Sequence, residues 1–76
     1  MVTFGQRSFT TVRGSDVHRN GMYLELGEIG GKQGLAEVFF SDSTSGFTLN
    51  TFDNDVPLEV IEWLAAQAHL SLPPDR

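Results

Sequence analysis

From residue 16 to residue 52 the sequence alternates short β-leaning runs with turn signals, and no connection there is long enough for a parallel crossover. Parallel neighbours need about a dozen connecting residues, so consecutive strands here must pair as antiparallel hairpins. The strongest signal is Asn20-Gly21, the dipeptide of a type I′ turn, in which both central residues take positive φ. A two-residue turn at that point predicts Arg19 opposite Met22 and Val17 opposite Leu24. Beyond it, Met22, Leu24 and Leu26 alternate with Tyr23 and Glu25, the period of a strand with one apolar face. Residues 27–34 hold four glycines in eight positions and read as a flexible connection. Residues 35–40 form a second strand rich in aromatic and β-branched side chains, residues 42–46 a polar hairpin loop, and residues 47–52 a third alternating strand. Residues 2–12 are also β-leaning. Phe4 and Phe9 have opposite parity, which predicts a bulge or bend at Gly5-Gln6.

The last third changes period. Val60, Ile61, Leu64 and Ala68 recur at helical spacing, Val56, Trp63 and Leu70 widen the stripe, and Glu59, Glu62, Ala66 and His69 line the other side. Asp53-Asn54-Asp55 supplies acceptors for the helix start, Pro57 suits a first turn, and Pro73-Pro74 stops the helix. The sequence therefore predicts a single α+β domain over residues 1–76: an antiparallel meander sheet of about four strands within 2–52, and one C-terminal helix over about 56–70 packed on one sheet face. Trp63 is its expected anchor. The run Asp55-Val56-Pro57-Leu58-Glu59-Val60-Ile61-Glu62-Trp63-Leu64, closed by Leu72-Pro73-Pro74, resembles the C-terminal helix of small uncharacterised bacterial proteins. The resemblance carries no catalytic motif and implies a bacterial cytoplasmic origin.

Composition narrows the chemistry. The 76 residues contain no cysteine, which removes disulfides, thiolate nucleophiles, zinc ribbons and iron–sulfur clusters. Small secreted domains usually carry disulfides, and residues 1–7 lack the apolar core of a signal peptide, so a cytoplasmic home is expected. No apolar run approaches the roughly 20 residues that span a bilayer, so no membrane partner is expected. The net charge of −5 repels nucleic-acid phosphates. Charge is also uneven: residues 1–19 balance at +2 through Arg7, Arg13 and Arg19, and residues 20–76 at −7.

Each catalytic or cofactor pattern fails on spacing. Gly31-Lys32 is followed by Gln33 and a strand, where a phosphate loop needs Ser or Thr and a helix. Val56-Pro57-Leu58 interrupts Asp53, Asp55 and Glu59, so no calcium loop forms, and Asp42, Asp53 and Asp55 together would hold a cation only weakly. Asp16 and His18 share a strand face but have no nucleophile elbow beside them. Glu59 and Glu62 lie on the wet face of the helix. No catalytic residue, cofactor or metal is expected, and the chain is read as no enzyme.

The sheet face turned away from the helix is left as the informative surface. If Met22, Leu24, Leu26, Ala36, Val38, Phe40, Phe47 and Leu49 meet the helix, then Tyr23, Leu35, Phe39 and Phe52 point away among Glu25, Glu37, Thr48 and Asn50. Aromatic side chains with a polar rim are the anatomy of an association surface. The expected function is a protein-interaction or regulatory module, self-associating or binding a protein partner through Tyr23, Leu35, Phe39 and Phe52. The alternative is an acidic inhibitor or immunity-type protein that blocks a basic site on an enzyme or toxin.

Overall fold

The computed structural model describes residues 1–72; the expected stop at Pro73-Pro74 lies outside them. It is an α+β fold in which one antiparallel sheet carries one helix. Five strands follow in order, β1 (Val2–Phe4), β2 (Arg7–Asp16), β3 (Gly21–Glu28), β4 (Ala36–Ser41) and β5 (Phe47–Thr51), and lie side by side in that same order. The helix α1 (Leu58–Ser71) packs across β3, β4 and β1.

The strand beyond the expected four comes from the N-terminal segment. Gly5-Gln6 is a two-residue hairpin turn, with Phe4 opposite Arg7 and Val2 opposite Phe9. Gly5 has φ 61 at the first turn position, where a type II′ turn requires glycine. Cross-strand partners joined by such a turn always have opposite parity. Val2, Phe4 and Phe9 therefore all reach the core, where a single continuous strand would have split them.

The β2–β3 turn is longer than Asn20-Gly21 alone. Asp16 pairs with Gly21, Ser15 with Met22 and Arg13 with Leu24, so residues 17–20 form a four-residue loop. The Asp16 carboxylate accepts hydrogen bonds from the His18 and Arg19 backbone N–H groups, at 3.0 and 3.2 Å, and ends β2 early. Asn20 alone takes the left-handed conformation, with φ 55. Arg13, not Val17, stands opposite Leu24. The register moves by an even number of residues, so the faces of β3 keep their expected sides.

A second departure lies at the start of β4. Both Leu35 and Ala36 oppose Leu26: Ala36 in register, and Leu35 through its N–H to the Leu26 carbonyl at 2.8 Å. Two residues against one is bulge geometry, and it turns both side chains inward. Leu35 is 1% exposed and belongs to the core with Phe9, Leu24, Leu26, Ala36, Val38 and Phe40.

The helix contributes Val60, Leu64 and Ala68 to that core, followed by Leu72. Asp53-Asn54-Asp55 gives the helix no side-chain cap. Pro57 is the N-cap residue, and its carbonyl accepts the Val60 and Ile61 N–H groups. Trp63 is only half-buried beside the core, so the anchor is Leu64. Leu64→Ala is accordingly expected to cost about 2–5 kcal/mol and Trp63→Ala about 1–3, the reverse of their side-chain sizes. Paired urea melts of the two variants measure the order.

Candidate interaction surface

The four residues expected to share a contact surface occupy three environments. Leu35 lies in the core under the helix. Tyr23 and Phe39 are cross-strand partners on the face opposite the helix. Phe52 stands just past the end of β5 and is 60% exposed. The structure brings Tyr23 and Phe39 together, and neither Leu35 nor Phe52 joins them.

Phe39 is only 7% exposed, although no helix covers its face. The cover is Arg19, whose guanidinium carbon lies 4.2 Å from the Phe39 ring centroid. The guanidinium donates to both oxygens of Glu37, at 3.1 and 2.8 Å, and its Nε donates to Asp16 at 2.6 Å. Each partner is placed by the backbone. Glu37 and Phe39 are two residues apart on β4 and share a face. Arg19 reaches them because the Asp16-anchored loop folds back over the sheet. A buried carboxylate on an inner strand needs a cation, and Arg19 supplies it with bidentate geometry. These hydrogen bonds, Glu37 foremost, hold the Arg19 guanidinium more firmly protonated than usual. The basic excess of residues 1–19 is thus partly a lid on the chain's own sheet.

The other lysine and arginine side chains among the described residues are also engaged. Arg7 pairs with Glu28 at 3.0 Å, Lys32 with Asp53 at 3.4 Å, and Arg13 donates to the Ser71 carbonyl at the helix C-terminus at 3.1 Å. Glu25, Asp42, Asp55, Glu59 and Glu62 take part in none of these ion pairs. Hydrogen bonds from Arg19 hold the Asp16 carboxyl below its ordinary value of 3.8, and that from Arg7 holds Glu28 below 4.5. Lowered carboxyl values stabilise the fold above the ordinary values, and that stability is lost as pH falls through the lower folded ones. Thermal melts across a pH series should be flat above about pH 5 and decline progressively below about pH 4. In Arg7→Gln the share carried by Glu28 should vanish and the decline become shallower.

Open surface lies instead at β5 and the helix flank beside it. Leu49 is 48% exposed, and Phe52 and Leu58 more so. A hollow of about 130 Å3 runs between strand and helix, lined by Val38, Phe47, Leu49, Ile61, Ala65 and His69. His69 rests on Phe47 with ring centroids 4.4 Å apart. Drug-sized ligands need roughly 300–1,000 Å3, so the hollow suits an inserted side chain better than a substrate. A second depression of about 280 Å3 sits at the β2–β3 turn among Ser15, Asp16, Asn20, Met22 and Asp42. No cluster of three or more His, Cys, Asp or Glu able to hold a metal is present among the described residues, and no helix there is long and apolar enough to cross a membrane.

The sequence pattern predicts both Phe47 and Leu49 beneath the helix; Phe47 does pack against the core and His69, and Leu49 stays half-exposed. The helix lies chiefly over β3, β4 and β1, so Leu49 sits at its margin. The available signal was polar composition: Thr48, Asn50 and Thr51 surround Leu49, as suits an exposed strand. No family model matches the sequence, and neither a curated protein nor a solved structure matches it.

Proposed function

We propose that this chain is a non-enzymatic protein-interaction module of the bacterial cytoplasm, whose contact surface is the β5 edge with the adjoining flank of α1. The observation that carries this reading is the pairing of an open sheet edge with exposed apolar side chains, Leu49 and Phe52, on one border of the molecule. Open edges accept a further strand, and side-chain pockets beside them supply specificity. The opposite sheet face serves less well, because Arg19 seals its central aromatic. The cytoplasmic setting accords with the cysteine-free sequence and with the resemblance of the C-terminal helix.

One observation favours the second reading, an acidic inhibitor of a basic site. The described lysine and arginine side chains are all engaged internally, while five carboxylates stand outside the ion pairs, three of them on or beside α1 as Asp55, Glu59 and Glu62. Salt separates the two. A partner captured on the immobilised chain through a strand edge should stay bound in 1 M NaCl and be lost with Leu49→Lys. A partner held by the carboxylates should elute as the screening length falls to about 3 Å, and Leu49→Lys should leave it bound. Binding that fits the second pattern alone removes the edge from the function.

A further inference from the structure

Resting on that reading, we infer that the partner at β5 is a second copy of this chain, joined by antiparallel pairing of the two β5 strands about Leu49. The hydrogen-bond parity of the strand sets the register. The Gly46 carbonyl accepts from Ser41 N–H, and Phe52 N–H donates to the Leu35 carbonyl. Residues of even number therefore turn their backbone groups toward β4, and alternation turns those of Phe47, Leu49 and Thr51 to the open side. An antiparallel two-fold at Leu49 pairs Leu49 with its own copy and Phe47 with the copy's Thr51. All three outward residues are then matched at once.

The side chains suit the same register. On the helix side, two Leu49 side chains meet at the axis, next to the hollows lined by Ile61 and Ala65. On the other side, Thr48 faces the copy's Asn50, and the exposed Phe52 falls opposite the copy's Gly46, which has no side chain to obstruct the ring. Charge permits the approach. Residues 43–52 carry no charged side chain, in a chain whose net charge of −5 otherwise repels a copy. Edge strands kept single usually carry charge, proline or a bulge, and β5 carries none. The opposite border is different: β1 has three residues, and β2 beyond it carries Arg13 and Asp16. Pairing over five residues, with Leu49 and Phe52 covered, makes an interface at the small end of the specific range, where association is weak and transient.

The natural absence of cysteine makes a cross-linking test clean. Directly opposed residues in a hydrogen-bonded antiparallel pair have Cα atoms about 5.5 Å apart, within reach of a disulfide. Leu49→Cys should oxidise to a cross-linked dimer about tenfold faster or more than Val12→Cys, an exposed position on β2, because pairing raises the local thiol concentration. Sedimentation equilibrium of the parent should show mass rising with concentration, and Leu49→Lys should remove the rise without changing the melt. Equal oxidation rates of the two cysteine variants, with a parent that stays monomeric at millimolar concentration, would overturn self-pairing. If in that case Leu49→Lys still abolished capture of a different protein, the interaction reading would stand while self-pairing fell. Should Leu49→Lys not fold, the two cysteine variants decide alone.

Discussion

Phe9→Ala should bring the domain close to unfolding. Phe9 is 0% exposed and is among the largest fully buried side chains of the core. It stands on β2 opposite Val2 and Glu28, with the Arg7 guanidinium 5.0 Å from its ring centroid. Truncation removes the ring from the core and leaves a cavity that the five-stranded sheet can close only in part. Such substitutions cost about 3–5 kcal/mol. A domain of this length has about 4–11 kcal/mol in total, so the loss is a large share of its stability. Urea denaturation of parent and variant measures the difference. A loss below about 1 kcal/mol would mean that the β1–β2 hairpin does not close the core as described.

Gly21→Val is the second large expected effect, and its cause differs from a turn preference. Gly21 opens β3 opposite Asp16 and Ser41 and is not among the residues with positive φ. A side chain there has nowhere to go: its Cβ would overlap the Phe40 carbonyl oxygen and stand 2.5 Å from Phe39 Cζ. Backbone cannot move aside cheaply between two paired strands, and the Phe39 ring is pinned beneath Arg19. The expected cost is about 2–4 kcal/mol, in the range of overpacking combined with lost ladder bonds. Asn20→Gly, by contrast, relieves a φ of 55 and should be neutral within about 0.5 kcal/mol or stabilising. Thermal melts of the pair separate a close-approach glycine from a turn glycine. A small effect of Gly21→Val would mean that the strands do not approach Gly21 as closely as described.

The parts legible in the sequence are those governed by local period. Alternation in residues 22–26 and 47–51 marked β3 and β5, the 42–46 loop marked their neighbouring hairpin, and the stripe through Val60, Leu64 and Ala68 marked the helix face. The illegible parts depend on contacts between distant residues. Nothing near Leu35 signals that its N–H will share the Leu26 carbonyl with its neighbour's register position, yet that bulge moves it from one face to the other. Arg19 reads as one of several surface cations until Glu37, 18 residues away, is placed beneath it. Trp63 is the largest side chain of the helix, but its position at the border of the apolar stripe leaves it half-buried, with Leu64 at the centre. The same holds for the candidate surface: exposure of Leu49 follows from where the helix stops across the sheet, which no periodicity along the strand encodes.

Backbone amide exchange at β5, followed residue by residue as protein concentration rises, tests the edge contact most directly. Thr48, Asn50 and Phe52 turn their N–H groups to β4 and should be protected at every concentration. Phe47, Leu49 and Thr51 should exchange freely in dilute solution and become protected together as copies pair, with no change at Tyr23 or Phe39. Exchange at Phe47, Leu49 and Thr51 that stays fast at millimolar concentration, or protection that appears instead around Tyr23 and Phe39, would contradict the account.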